Sequence, residues 1–489
     1  MDKVLLALAA LTLLGLLLPF LMGGAIVQGV ALPEWSLLSK TFFLTFLQAL
    51  MSALACSLLG VIGGIGLSSF GAKSRRFFES LALLPTLLPS LFAIFAAFFL
   101  WHPFPYGLTG IVFVHTLVMA GFVAVSISKS CHQQDMLVAI EVSKVLGASG
   151  FQFWSKIGLF KLKPTIIWSA VSVFVYAFMS FSIPLIASKS KIYSVELLVW
   201  DLAMMPETWK QALGVSLLQT ILVVMMFGLL NRMSSHDPVR HSGSSSTTML
   251  NYGQRRYSLL ALMASLAICF SYLRVLFGSS FSLIEATPQN YLIHSLLYTF
   301  LIGLISSLLA FGFCIGVCAL FFYRPWYNLQ LSWVGLSASL LAFVAFVVRI
   351  KLLLTEGLLA VIFLGGLMTL SLGPSLLRGY AHSAFLAYTS DIQAAKLLGA
   401  NKWSILWKVL LPQVYGRLRF VSVLVGVYAM GDFAISRAFF DRPQTLALQA
   451  QALISSYRLA DGMLLLLLIL ALGAVLFFIW PKPPKYLRN

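Results

Sequence analysis

Two segments of this chain repeat one spacing of residues suited to mechanical contact. The first reads Glu141-Val-Ser-Lys-Val-Leu-Gly147-Ala148-Ser and continues to Ile157-Gly-Leu159-Phe160. The second reads Gln393-Ala394-Ala395-Lys-Leu-Leu-Gly399-Ala400-Asn and continues to Val409-Leu-Leu411-Pro412. In both, an acid or amide precedes a Gly, and an aliphatic residue and a Leu follow at matched distances. A Gly closing a short helical stretch favours a left-handed stop, after which a second helix begins. A different chemistry is offered by Asp432, an acid in the apolar run Tyr428-Ala-Met-Gly-Asp432-Phe-Ala-Ile. A charge at the bilayer centre costs ~2.5–3.5 kcal/mol, so it faces protein or water. Counted from Arg417 at ~1.5 Å per residue, Asp432 stands ~22 Å up its helix, toward the outer side. Its counterpart in the first half is Ser180, four residues after Tyr176. Tyr176, Ser180, Tyr428 and Asp432 either line a gate for a cation or polar solute, or Asp432 forms a structural ion pair with Arg437 or Arg349.

The paired pattern resembles the E-A-A loop of binding-protein-dependent ABC permeases: E-A-A, three residues, G, nine residues, I-x-L-P. The resemblance covers nearly the whole chain and implies an all-α, polytopic type I importer permease. Fused permeases of this kind are similar to the branch that carries thiamine or ferric iron, and Asp432-Phe-Ala is similar to an acid-Phe-Gly segment of that branch. The implied coupling residues are Glu141, Gly147, Ala148, Gln393, Ala394, Ala395, Gly399 and Ala400. The implied partners are a cytoplasmic ATPase dimer, carrying ATP and magnesium, and a periplasmic or surface solute-binding protein; no cofactor is expected in this chain. Import by alternating access into a bacterial cytoplasm, across the inner membrane, completes the implied picture. The chain departs from the pattern at Gln393, where the family has Glu, at Val142 and Ser143, where it has Ala, and at Phe160, where it has Pro. Unequal coupling by the two halves follows from the lone Glu141. A second class, a secondary transporter of the major facilitator type, also has two parallel halves. Gly71-Ala-Lys-Ser-Arg-Arg76 is faintly similar to a loop of that superfamily, but lacks its acid and second Gly.

Other chemistries have weak footing. Gly66-Leu-Ser-Ser-Phe-Gly71-Ala72-Lys73-Ser74 approaches a phosphate loop, but Ala72 breaks the Gly-Lys adjacency and the segment ends an apolar run. Cys314 and Cys318 share a helix face with no His or acid within a turn, and read as small buried residues. The histidines show no metal-ligand spacing. No nucleophile and base converge, so the reading is a transporter and not an enzyme.

The elements that position these residues must lie in lipid. Of 489 residues, 60% are hydrophobic and 10% charged, against roughly 45–50% and 25% in soluble chains. The net charge of +18 does not indicate nucleic acid, because the bases sit in short loops between apolar runs. About twelve runs reach the ~20 residues that a spanning helix needs. They lie near 4–22, 43–68, 79–101, 107–127, 164–188, 210–231, 257–277, 293–321, 329–350, 353–377, 417–439 and 459–480. The first is read as a retained helix, not a signal peptide. Most of the 33 Lys and Arg fall on one side if the N-terminus is cytoplasmic, and an even span count puts both termini there.

Sliding one half over the other by 252 residues aligns Gly147 with Gly399, Tyr176 with Tyr428 and Phe181 with Phe433. The expected organisation is a first repeat over 1–230 (loop 135–160), a cytoplasmic Ser-rich linker over 231–256, and a second repeat over 257–489 (loop 387–412). Repeats with an even number of spans enter the membrane in the same sense. The Gly pairs 60/64 and 312/316 also align and predict close helix contact in both halves.

Overall fold

The computed structural model describes residues 21, 27, 29–189, 194–233, 255–278, 289–323, 338–352, 357–370, 389–440 and 442–480. The predicted span 4–22, residue 21 apart, and most of the linker 231–256 lie outside the described residues. So do parts of the predicted spans 329–350 and 353–377. The described residues are helical, with no strand among them. Eight helices are long and apolar enough to cross a bilayer, or nine if one bent pair counts as a span. The chain is a polytopic membrane protein; twelve spans are not reached among the described residues.

In chain order the helices are α1 (Trp35–Leu67), α2 (Ala72–Leu87), α3 (Ser90–Leu100), α4 (Leu108–Cys131), α5 (Gln134–Val145), α6 (Gly150–Phe153), α7 (Leu159–Phe178), α8 (Ser182–Ala187), α9 (Val195–Ala203) and α10 (Trp209–Met233). There follow α11 (Ser258–Gly278), α12 (Gln289–Tyr323), α13 (Ala338–Leu352), α14 (Leu358–Leu370), α15 (Thr389–Leu397), α16 (Lys402–Ile405), α17 (Leu411–Gly431), α18 (Ala434–Phe439), α19 (Leu446–Ser455) and α20 (Leu459–Ile479). The run predicted over 79–101 is not one straight helix. It breaks between α2 and α3 with a 96° bend. Pro89 caps α3 and Pro85 lies inside α2. A proline removes a donor and pushes the residue before it out of helical backbone, and Leu88 is accordingly extended (ψ 147°).

By contact the chain divides into two units. One comprises Ser39–Ser194 with Met226–Ser279. In it α11, though it follows the linker in sequence, packs on α2, α3 and α4. Small residues on α1 let α11 approach that helix as well. A Cβ on Gly63 would lie 2.7 Å from the Ala261 nitrogen, and one on Gly66 2.2 Å from the Ser258 nitrogen. On another face of α1, Gly60 and Gly64 meet α4, where a Cβ on Gly64 would stand 2.5 Å from the Ala124 carbonyl oxygen. Ser265 Oγ donates to the Leu81 carbonyl (2.6 Å) and Tyr272 Oη to that of Phe92 (3.3 Å), which satisfies both hydroxyls inside an apolar bundle.

The other unit comprises Met1–Leu38, Val195–Met225 and Ser280–Asn489. Its main packing is α12 on α17, with α20 against α17 and α19. A Cβ on Gly426 would fall 2.6 Å from the Gly303 carbonyl oxygen, so these helices touch through backbone. The aligned Gly312 differs from expectation: nothing lies within 4 Å of the space its Cβ would fill. The short helices α9 and α19 were not expected from the sequence. Each has fewer residues than a span needs, and each carries polar groups among its buried ones.

Candidate functional site

The two matched loops fold alike. α5 ends at Gly147 with φ +69° and α15 at Gly399 with φ +76°. Both are left-handed stops that a side chain would strain. The next helix is capped at the aligned position in each. Ser149 Oγ accepts from the Gln152 backbone N–H (3.3 Å), and Gln152 Oε1 accepts from that of Ser149 (3.0 Å). Asn401 Oδ1 accepts from the Ser404 N–H (2.7 Å). A π turn then joins each short helix to the spanning one, Trp154–Gly158 before α7 and Leu406–Leu410 before α17. Each knob is thus continuous with a spanning helix.

Side-chain ties hold each knob to that helix. Lys161 Nζ donates to the Asp135 carbonyl (3.2 Å), and at the aligned position Gln413 Nε2 donates to Asp391 Oδ2 (3.2 Å). Beneath the second knob Ile392, Ile405, Leu406 and Leu410 form an apolar cluster with Cys314 and Cys318. Those two cysteines are core residues. The knob tips instead present apolar side chains to solvent. Val145 is 88% exposed and Leu397, aligned with it, 89%. Glu141, Gly147, Gln393, Ala394 and Gly399 are exposed beside them, with Ala148, Ala395 and Ala400 half-buried.

The expected pathway residues sit at two helix breaks. The first parts α7 from α8 at 179–181 and the second parts α17 from α18 at 432–433. Asp432 terminates α17 with extended backbone. Its Oδ2 accepts from the backbone N–H groups of Ile435 (2.9 Å) and Ser436 (3.4 Å), so the carboxylate caps α18. Arg437, the ion-pair candidate, lies over the Trp200 ring instead (6.0 Å). Ser180 occupies the aligned break, its N–H donating to Ala177 (3.3 Å). Tyr176 and Ser180 lie in one unit, Tyr428 and Asp432 in the other. Tyr176 stands edge-on to His115 (6.1 Å between ring centroids). The sequence reading passed over a second buried acid, Glu196, whose Oε1 accepts from Gln219 Nε2 (2.7 Å).

Over 92 residues the chain is 36% identical to the chloroplastic sulfate permease 2 of Chlamydomonas reinhardtii. That stretch is 18% of this chain and 25% of the relative. The relative is a permease. It is a transporter, not an enzyme, which agrees with the reading of the sequence. No family model matches, and no solved structure matches. The match corrects the resemblance drawn from the loops. The relative is a sulfate permease, and the assignment to the thiamine and ferric-iron branch of ABC permeases falls. The ATPase dimer and solute-binding protein implied by that assignment fall with it. The physical reason lies in what the spacing encodes. An acid or amide, a left-handed Gly and a capped second helix specify a backbone turn, and a turn does not name what touches it.

Proposed function

We propose that the chain is a membrane transporter that passes a small inorganic oxyanion of the sulfate class across the bilayer. The stretch shared with the sulfate permease carries this reading. A helical bundle, as the described residues form, is a backbone that a lipid-embedded route accepts.

The proposed architecture is two parallel repeats, 1–230 and 257–489, joined by the linker 231–256. The matched left-handed glycines, π turns and helix breaks at one offset support it. Both knobs and both termini then share the cytoplasmic side. The knob residues Glu141, Gly147, Ala148, Gln393, Ala394, Ala395, Gly399 and Ala400 act as levers. A knob joined to its span without an intervening loop passes its displacement directly to that span. The helix breaks at Ser180 and Asp432, with Tyr176 and Tyr428 one turn before them, flank the solute route in their respective units.

Uptake of radiolabelled sulfate by cells stripped of their own sulfate uptake tests the reading. Expression of the chain should restore saturable uptake, and unlabelled sulfate should compete while thiamine does not. No uptake above that of the empty cells would sink it. Collapsing the ion gradients with ATP held constant identifies the driving force and leaves the solute assignment standing.

A further inference from the structure

The interior of the unit containing α1 to α8 holds polar groups that neither the knobs nor the helix caps use. Thr41, Thr45, Gln48 and Ser52 follow one another along a single face of α1, each at most 2% exposed. Ser52 Oγ lies 3.0 Å from His115 Nδ1 on α4. One turn further, Cys56 Sγ sits 3.6 Å from the His115 carbonyl oxygen. His115 and Gln48 are both 0% exposed. Three atoms in this cluster have no hydrogen-bond partner: Nε2 and Oε1 of Gln48, and Nε2 of His115.

Unmet polar atoms at this depth need an explanation. Each costs about 1–3 kcal/mol when buried without a partner. Hydrocarbon supplies none. Thr45 shows how the same helix settles a polar side chain when no ligand is involved: its Oγ1 donates to the Thr41 carbonyl (2.8 Å). Gln48 and His115 have no such internal solution. Ser52 Oγ and His115 Nδ1 share one hydrogen; in the tautomer in which the hydroxyl donates, Nε2 carries the imidazole hydrogen and is a donor without a partner. The Gln48 amide adds an N–H group and a carbonyl oxygen, both without a partner, one turn from Ser52 on the same face of α1. Among the described residues, no acidic side chain is hydrogen-bonded to the imidazole. Donors without a carboxylate nearby suit a solute rich in acceptors and carrying negative charge.

We propose that Gln48, His115 and Ser52 form an intramembrane binding site for a small oxyanion, with Tyr176 as the ring that closes it. The site rests on the oxyanion reading given above and places that solute within one unit. Tyr176 is 36% exposed, while the imidazole against its edge is wholly buried. Hydrogen bonds from neutral donors hold an anion without trapping it. A permeation site must bind weakly enough to release.

Binding of [35S]sulfate to the purified full-length protein, read by scintillation proximity, tests the site. The native protein should bind saturably, with unlabelled sulfate competing and chloride not. Gln48→Met and His115→Phe, which keep volume and remove donors, should each weaken binding about tenfold or more. Ser52→Ala frees the imidazole tautomer and should weaken binding less. It keeps the test decisive should either larger change prevent folding. No saturable binding by the native protein, or equal binding by all the variants that fold, overturns the site. The uptake assay separates the two readings. Native uptake with unchanged KM in Gln48→Met and His115→Phe sinks the site alone. Sulfate binding that these variants abolish, without any cellular uptake, sinks the transport reading alone.

Discussion

Asp432 illustrates how one carboxylate serves a membrane helix by ending it. Its oxygen accepts the N–H groups that open α18, so the role is that of a helix cap. Asn caps about as well as Asp, whereas Ala forfeits about 1 kcal/mol. Asp432→Asn should therefore leave thermal unfolding in detergent nearly unchanged, and Asp432→Ala should lower the midpoint. Equal destabilisation by both would mean that the charge, not the acceptor, is what the site needs. The sequence exposed Asp432 as an acid in an apolar run, but not the break beside it. Glu196 and His115 were harder to see. Each aligns with an apolar residue of the other half, Leu448 and Leu367. Comparing two halves reveals what they share, and a group present in one half alone stays hidden.

At the scale of elements, the knobs were the most legible feature. A left-handed glycine, a side-chain cap and a π turn are local devices, set by a few neighbouring residues. Packing between helices was less legible. The pairs 60/64 and 312/316 look equivalent in sequence, yet α1 uses its pair and Gly312 faces open space. The difference lies in which helix comes alongside, and nothing within α1 or α12 encodes that. Gly64→Ala pushes a Cβ against the Ala124 backbone and should cost about 1–3 kcal/mol. Gly312→Ala meets no neighbour and should stabilise the helix by about 0.5–1 kcal/mol. Size-exclusion profiles after stepwise heating compare the two, and similar losses would contradict the packing described for α1. The bend between α2 and α3 was readable from Pro85 and Pro89. The apolar run that contains them masked it.

For the whole molecule, composition alone required a membrane protein, because 60% apolar residues cannot be covered by so few charges. The sense in which the two repeats enter the bilayer can be checked directly. Val145→Cys, Leu397→Cys and Arg76→Cys should react with a membrane-impermeant maleimide from one side only, and from the same side. Reaction of Val145→Cys and Leu397→Cys from opposite faces would contradict parallel repeats.

The seat of α11 bears on how the protein is made. A ribosome releases residues 39–194 well before it reaches Ser258, yet α2, α3 and α4 carry the surface on which α11 rests. During that interval the grooves at Gly63 and Gly66 await a helix still to be synthesised. A gene cut at the linker would yield an N-terminal fragment short of one wall, which only the companion fragment can bring.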